Sequence, residues 1–155
     1  MTSRGVQTSI VCSLLILLTA CGGGTQSVTG TPSLNLVPVH GVTMRASVAG
    51  RGPHGDTVVV TFANGGSQVA FLPKCGAQPL LLNQQFVNDA WTGGVQNFMC
   101  PMSDQPGPVT LAPGATLQLV RFFDTAGRYR FLASVGLIAD LSDAQTDTSN
   151  AFDVP

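Results

Sequence analysis

From Leu34 to Pro155, apolar and polar residues alternate in short runs, and each run is cut off by Gly, Pro or an Asn-Gly pair. A side-chain period of two sets one face of a run in a core and the other in water, which is the pattern of a half-buried β-strand. In "VTMRASV", Val42, Met44, Ala46 and Val48 share one face while Thr43, Arg45 and Ser47 share the other. "GRYRFLASV" sets Tyr129, Phe131, Ala133 and Val135 against Arg128, Arg130 and Ser134. "PLLLNQQF" reads as a further strand, "LAPGATLQL" as a type II turn at Pro113-Gly114 leading into another, and "NAFDV" as a closing strand. In "DTVVVTFANGGSQVAFL" the Asn64-Gly65 pair predicts a hairpin, because both residues tolerate the positive φ of a type I′ turn. "TLQLVRFF" changes apolar phase between Leu119 and Val120, which predicts a β-bulge, and "DLSDAQTDTS" reads as a polar loop.

Helix-length patterns are missing, and so are most strong helix formers: the chain has one Lys and no Glu, against 18 Gly and 10 Pro. The expected fold is therefore all-β, an antiparallel immunoglobulin-like β-sandwich of about 7–9 strands over residues 35–155. The run Asp124 to Tyr129 resembles the tyrosine corner of such sandwiches, where a Tyr hydroxyl bonds back to nearby backbone as a strand begins. A chain of 155 residues has room for one such domain. Seven Lys and Arg stand against eight Asp, for a formal net charge of −1, so no basic surface for nucleic acid is implied.

Residues 1–20 have a different character. Arg4 and the terminal amine precede the apolar run Ile10 to Leu18, which ends in small residues, the layout of an export signal. Nine helical residues at ~1.5 Å each reach about 14 Å, too short to cross a hydrocarbon core of roughly 30 Å. Leu18-Thr19-Ala20-Cys21 followed by Gly22 resembles the lipobox of bacterial lipoproteins. That resemblance implies cleavage between Ala20 and Cys21 and lipid on the Cys21 sulfur, with an ordinary cleaved signal as the alternative. Two or more acyl chains make membrane attachment effectively stable. Gly22 and Gly23 lack the Asp that favours inner-membrane retention in Gram-negative families of this kind, so the bacterial cell membrane or the outer membrane is the expected location. Residues 21–34, rich in Gly, Thr and Ser, form the anchor and a flexible tether.

With Cys12 in the leader and Cys21 lipidated, Cys75 and Cys100 remain, and two thiols in an exported domain are most simply a disulfide. Met99, Cys100 and Met102 offer soft ligands suited to Cu(I), but no His follows Cys100 at ligand-like spacing, so the sequence implies no metal site and no cofactor. His40 and His54 lie outside any nucleophile motif and read as solvated loop residues. Asp140, Asp143 and Asp147 lack the Gly and terminal Glu of a calcium loop and read as a solvated polar stretch. No catalytic residue is assigned. Trp91 in "NDAWTGG" is either an exposed contact aromatic or a core residue beside the Cys75–Cys100 bridge.

The turn and strand pattern from Asp56 to Tyr129 ("VVVTFAN", "LPKCG", "LLLNQQF", "LAPGATLQL", "GRYRF") resembles bacterial lipoproteins with an immunoglobulin-like domain. It is more distantly similar to the BsuPI proteinase-inhibitor family. The first resemblance implies a non-catalytic envelope module with a protein or glycan partner or a structural role. The second implies protease inhibition through a loop such as Gln96 to Gly107, although that family is named for an intracellular inhibitor.

Overall fold

The computed structural model describes residues 36–94, 100 and 107–155; the expected signal, lipidation site and tether lie outside them. Within the described residues the chain is all-β, with antiparallel pairing and no helix. Its strands are β1 (Val42–Gly52), β2 (Gly55–Asn64), β3 (Ala70–Leu72), β4 (Lys74–Cys75), β5 (Gln78–Pro79) and β6 (Leu82–Val87). These are followed by β7 (Ala90–Gly93), β8 (Val109–Leu111), β9 (Thr116–Phe123), β10 (Gly127–Val135), β11 (Gln145–Thr148) and β12 (Phe152–Val154). That makes twelve where about seven to nine were expected, the surplus being elements of two or three residues.

One sheet runs β1-β2-β9 and a second β11-β10-β6-β7, with β12 pairing the start of β10. β3 pairs β8, and a bridge from Phe71 to Gly136 links that pair to β10. The inward faces meet in one core: Val42, Met44, Val58, Val60 and Phe62 from the first sheet, Phe131, Ala133 and Val135 from the second. The alternation in β1 and β10 is as expected, except that Val48, beside an irregularity in the β1–β2 pairing, is 37% exposed. The β1–β2 hairpin turns at Pro53-His54, and Gly55 at φ 100° passes so close to the Phe123 carbonyl that any Cβ there would strike it. Gly114, at φ 73°, completes the expected type II turn, with the Ala115 N–H donating to the Ala112 carbonyl at 3.0 Å.

Three expectations are corrected. No hairpin forms at Asn64-Gly65: β3 pairs β8 instead of β2, and neither residue takes a positive φ. The Asn64 side chain, 1% exposed, has longer-range work. Its Nδ2 donates to the carbonyls of Gln68 and Leu111, both at 2.8 Å, and its Oδ1 accepts from the Gly66 N–H at 3.0 Å. Those bonds satisfy backbone groups where the chain crosses between sheets, and they outweigh a local turn preference. No bulge interrupts β9, which pairs β2 in unbroken register from Thr116 to Phe123. Its apparent phase change arises because Val120 and Phe122 face water, 48% and 59% exposed; the bulge lies in β1, between Val48 and Gly50. Finally, the polar stretch contains β11, and Asp147 within it is buried.

A candidate binding cleft between two sheet edges

β9 ends the first sheet and β7 ends the second, and both edges lie on the same side of the molecule. Between them opens a cleft of about 670 Å³, within the usual range for ligand sites. One wall comes from β6 and β7. There the apolar alternation stops after Leu81, and Asn83, Gln85 and, by its pairing with Gln85, Thr92 take over the inward positions. The other wall is Arg121 and Phe123 of β9, and the floor is Tyr129 and Phe131 of β10. Cys75 also borders the cleft and is joined to Cys100, with Cα atoms 4.8 Å apart.

The floor is rigid. The Tyr129 hydroxyl donates to the Thr125 carbonyl at 3.1 Å, and its ring sits 4.7 Å from that of Phe123. Burial, with a smaller contribution from Asp124, raises the Tyr129 pKa, so the phenol stays protonated near neutral pH. Arg121 Nη1 donates to Gln78 Oε1 at 3.1 Å and to the Val120 carbonyl at 2.9 Å. Desolvation lowers its pKa, yet a guanidinium remains charged at neutral pH.

Trp91 is not in this cleft. Its neighbour Thr92 points in, so Trp91 points out, half-buried on the opposite face of the sheet and outside the core cluster. The guanidinium carbon of Arg130 lies 4.3 Å from the centre of its ring, and the Phe86 ring lies 5.2 Å away. Arg130 Nε donates to Gln84 Oε1 at 2.7 Å, which holds the cation in place.

The remaining candidates are dispersed. His40 is not solvated: its Nε2 lies 3.2 Å from the Asp143 carbonyl oxygen and 3.9 Å from Asp143 Oδ2, tying the turn before β1 to the turn before β11. Main-chain N–H groups of Leu137 and Ile138 bond the Asp143 carboxylate and hold its pKa down, with His40 adding to the effect. His54 is exposed, its ring 6.3 Å from that of Phe122 in a T-shaped arrangement. Asp140 accepts from the Ser142 N–H at 2.8 Å as a turn residue. Among the described residues no hydroxyl or thiol bonds either imidazole, and no three His, Cys or Asp side chains converge as a metal site. Met99, Met102 and most of the loop from Gln96 to Gly107 lie outside the described residues.

Asn83, Gln85 and Arg121 were not singled out by the sequence. The signal for Asn83 and Gln85 was present in "LLLNQQF", where both faces turn polar after Leu82 and the strand can no longer be core on either side. No protein-family model matches this chain, and no curated protein is similar to it in sequence.

Proposed function

We propose that this chain is an exported lipoprotein of the bacterial envelope, anchored through lipid on Cys21, whose immunoglobulin-like sandwich is a non-catalytic binding module. The carrying observation is Leu18-Thr19-Ala20-Cys21 placed directly after a short apolar run. The Cys75–Cys100 pair fits an oxidising compartment, and the Tyr129 bond to Thr125 supports the immunoglobulin-like reading through the tyrosine corner. A binding role is favoured over a catalytic one by the chemistry of the cleft. Apart from Asp124, whose carboxylate accepts from the Thr125 hydroxyl, the cleft offers amides, hydroxyls and a guanidinium, which hydrogen-bond a ligand but do not exchange protons near neutral pH. Protease inhibition and Cu(I) binding draw on residues mostly outside those described and gain no support from the cleft.

Detergent phase partitioning and intact-mass measurement on protein made in a bacterial host test the anchor. The wild-type chain should enter the detergent phase with a mass that starts at Cys21 plus acyl chains. Cys21→Ala should carry no lipid mass. A wild-type chain with a free thiol at position 21 would overturn the proposal.

A further inference from the structure

We infer that the cleft receives an extended segment of a partner protein, which adds as a strand to the open edge of β9 and seats an acidic side chain on Arg121. This rests on the binding-module reading and gives it a partner chemistry.

The first argument is the contrast among edges. An unpaired strand edge is a row of hydrogen-bonding groups that proteins shorten, cover or charge. β7 and β11 are short, at four residues each. β1 is long but guarded, since Asn150 bonds both the N–H and the carbonyl of Ala46. β9 runs eight residues, and among the described residues no strand pairs its outer side. The Val120 carbonyl accepts from its neighbour's guanidinium, so it points away from β2; in an antiparallel ladder the main-chain groups of Gln118 and Phe122 share that direction. Eight residues span about 26 Å, ample for a short added strand.

The second argument is what lines the cleft beside that edge. Asn83 and Gln85 carry carboxamides, which match the donor and acceptor of a peptide group. Among the described residues Arg121 Nε and Nη2 have no hydrogen-bond partner, which leaves donors for a carboxylate. The acidic residue lining the cleft, Asp124, accepts from its neighbour Thr125. A glycan fits less well. Sugar sites present a ring face, whereas Tyr129 and Phe131 are buried against Phe123 and Phe152, and Phe122, which borders the cleft, alternates to the outer face of β9 with its ring toward His54. A second copy also fits less well, because antiparallel self-pairing about Val120 would set the two Arg121 guanidinium groups on one face as diagonal neighbours, roughly 7–8 Å apart at the backbone.

The test uses the full chain in detergent micelles against a phage-displayed library of random twelve-residue peptides. Recovered peptides should carry Asp or Glu within an alternating apolar run, and hydrogen exchange of the β9 amides from Gln118 to Phe122 should slow when they bind. Arg121→Gln should weaken binding at least about tenfold. Arg121→Glu should recover peptides with Lys or Arg in place of the acid. The inference is overturned if recovered peptides show no acidic preference, or if they protect the Trp91 face instead of β9; either result leaves a binding module standing. It is overturned as well if β9 protection comes from self-association or from soluble envelope glycan fragments. If neither peptides nor glycan fragments bind, the binding-module reading falls with it.

Discussion

Along β1, the carboxamide of Asn150 takes up both main-chain groups of Ala46, and the neighbouring Ser149 does the same office for β10, accepting from the Phe131 N–H at 2.9 Å. Along β9, on the other side of the molecule, eight residues run with no strand beyond them among the described residues and a partly polar cleft beside them. Both sides belong to one core, yet one is closed by polar side chains, the buried Ser149 and the half-buried Asn150, and the other is left open. Edge groups buried on the closed side must be bonded by the protein itself, whereas those on the open side, apart from the Val120 carbonyl held by Arg121, can be bonded by water until something displaces it.

The largest expected effect is on the open side. Replacing both Cys75 and Cys100 with Ser releases a loop whose ends are 25 residues apart and should lower stability by about 3–4 kcal/mol in urea unfolding. If the two sides are as distinct as their hydrogen bonding, β1 amides should keep their exchange protection in that variant under native conditions. On the closed side, Asn150→Ala leaves Ala46 with two unsatisfied groups and should cost about 2–3 kcal/mol. A loss below about 0.5 kcal/mol would show that water replaces the carboxamide and that β1 is as open as β9.

The smallest effect has the opposite sign. Asp147, 4% exposed, has an Oδ2 with no partner among the described residues, and burial pushes its pKa up to about 6, the Thr148 N–H bond opposing. Because this carboxyl holds its proton more tightly folded than unfolded, its own contribution to stability should be greatest below about pH 4 and be lost as pH rises through about 6, opposite in sign to that of Asp143, whose pKa is held down. Asp147→Asn should then raise stability near neutral pH by about 1–2 kcal/mol and flatten that decline in thermal melts at a series of pH values. An Asn variant less stable than wild type at neutral pH would mean that the carboxylate is better solvated on the closed side than its burial implies.

Strands with one wet face and one dry face were legible from the sequence, which is why β1, β10 and the turn at Pro113-Gly114 fall where alternation and turn chemistry put them. Cysteine counting likewise found the Cys75–Cys100 pair. What was not legible is polar residues at work in the interior. Asn64 has local turn chemistry, but its bond to Leu111 reaches 47 residues along the chain, and no window of sequence contains both. The polar run before the C-terminus reads as solvent-exposed, though Asp147 and Ser149 are buried and Asn150 is bonded to β1. The cleft was hidden for the converse reason: Val120 and Phe122 look like core residues and face water, while Arg121 between them looks like surface and faces inward.

The described chain begins at Leu36, and Leu36 to Val39 run beside β11, at the back of the molecule relative to the cleft. Tension applied at that point would be borne first by the paired N–H and carbonyl bonds between Val39 and Val42 and by the contact of His40 with Asp143. If the leash to the membrane runs from there, a tug on it loads the rear seam in shear and leaves the mouth undeformed. Cargo held at the front would then stay put while its carrier is pulled about.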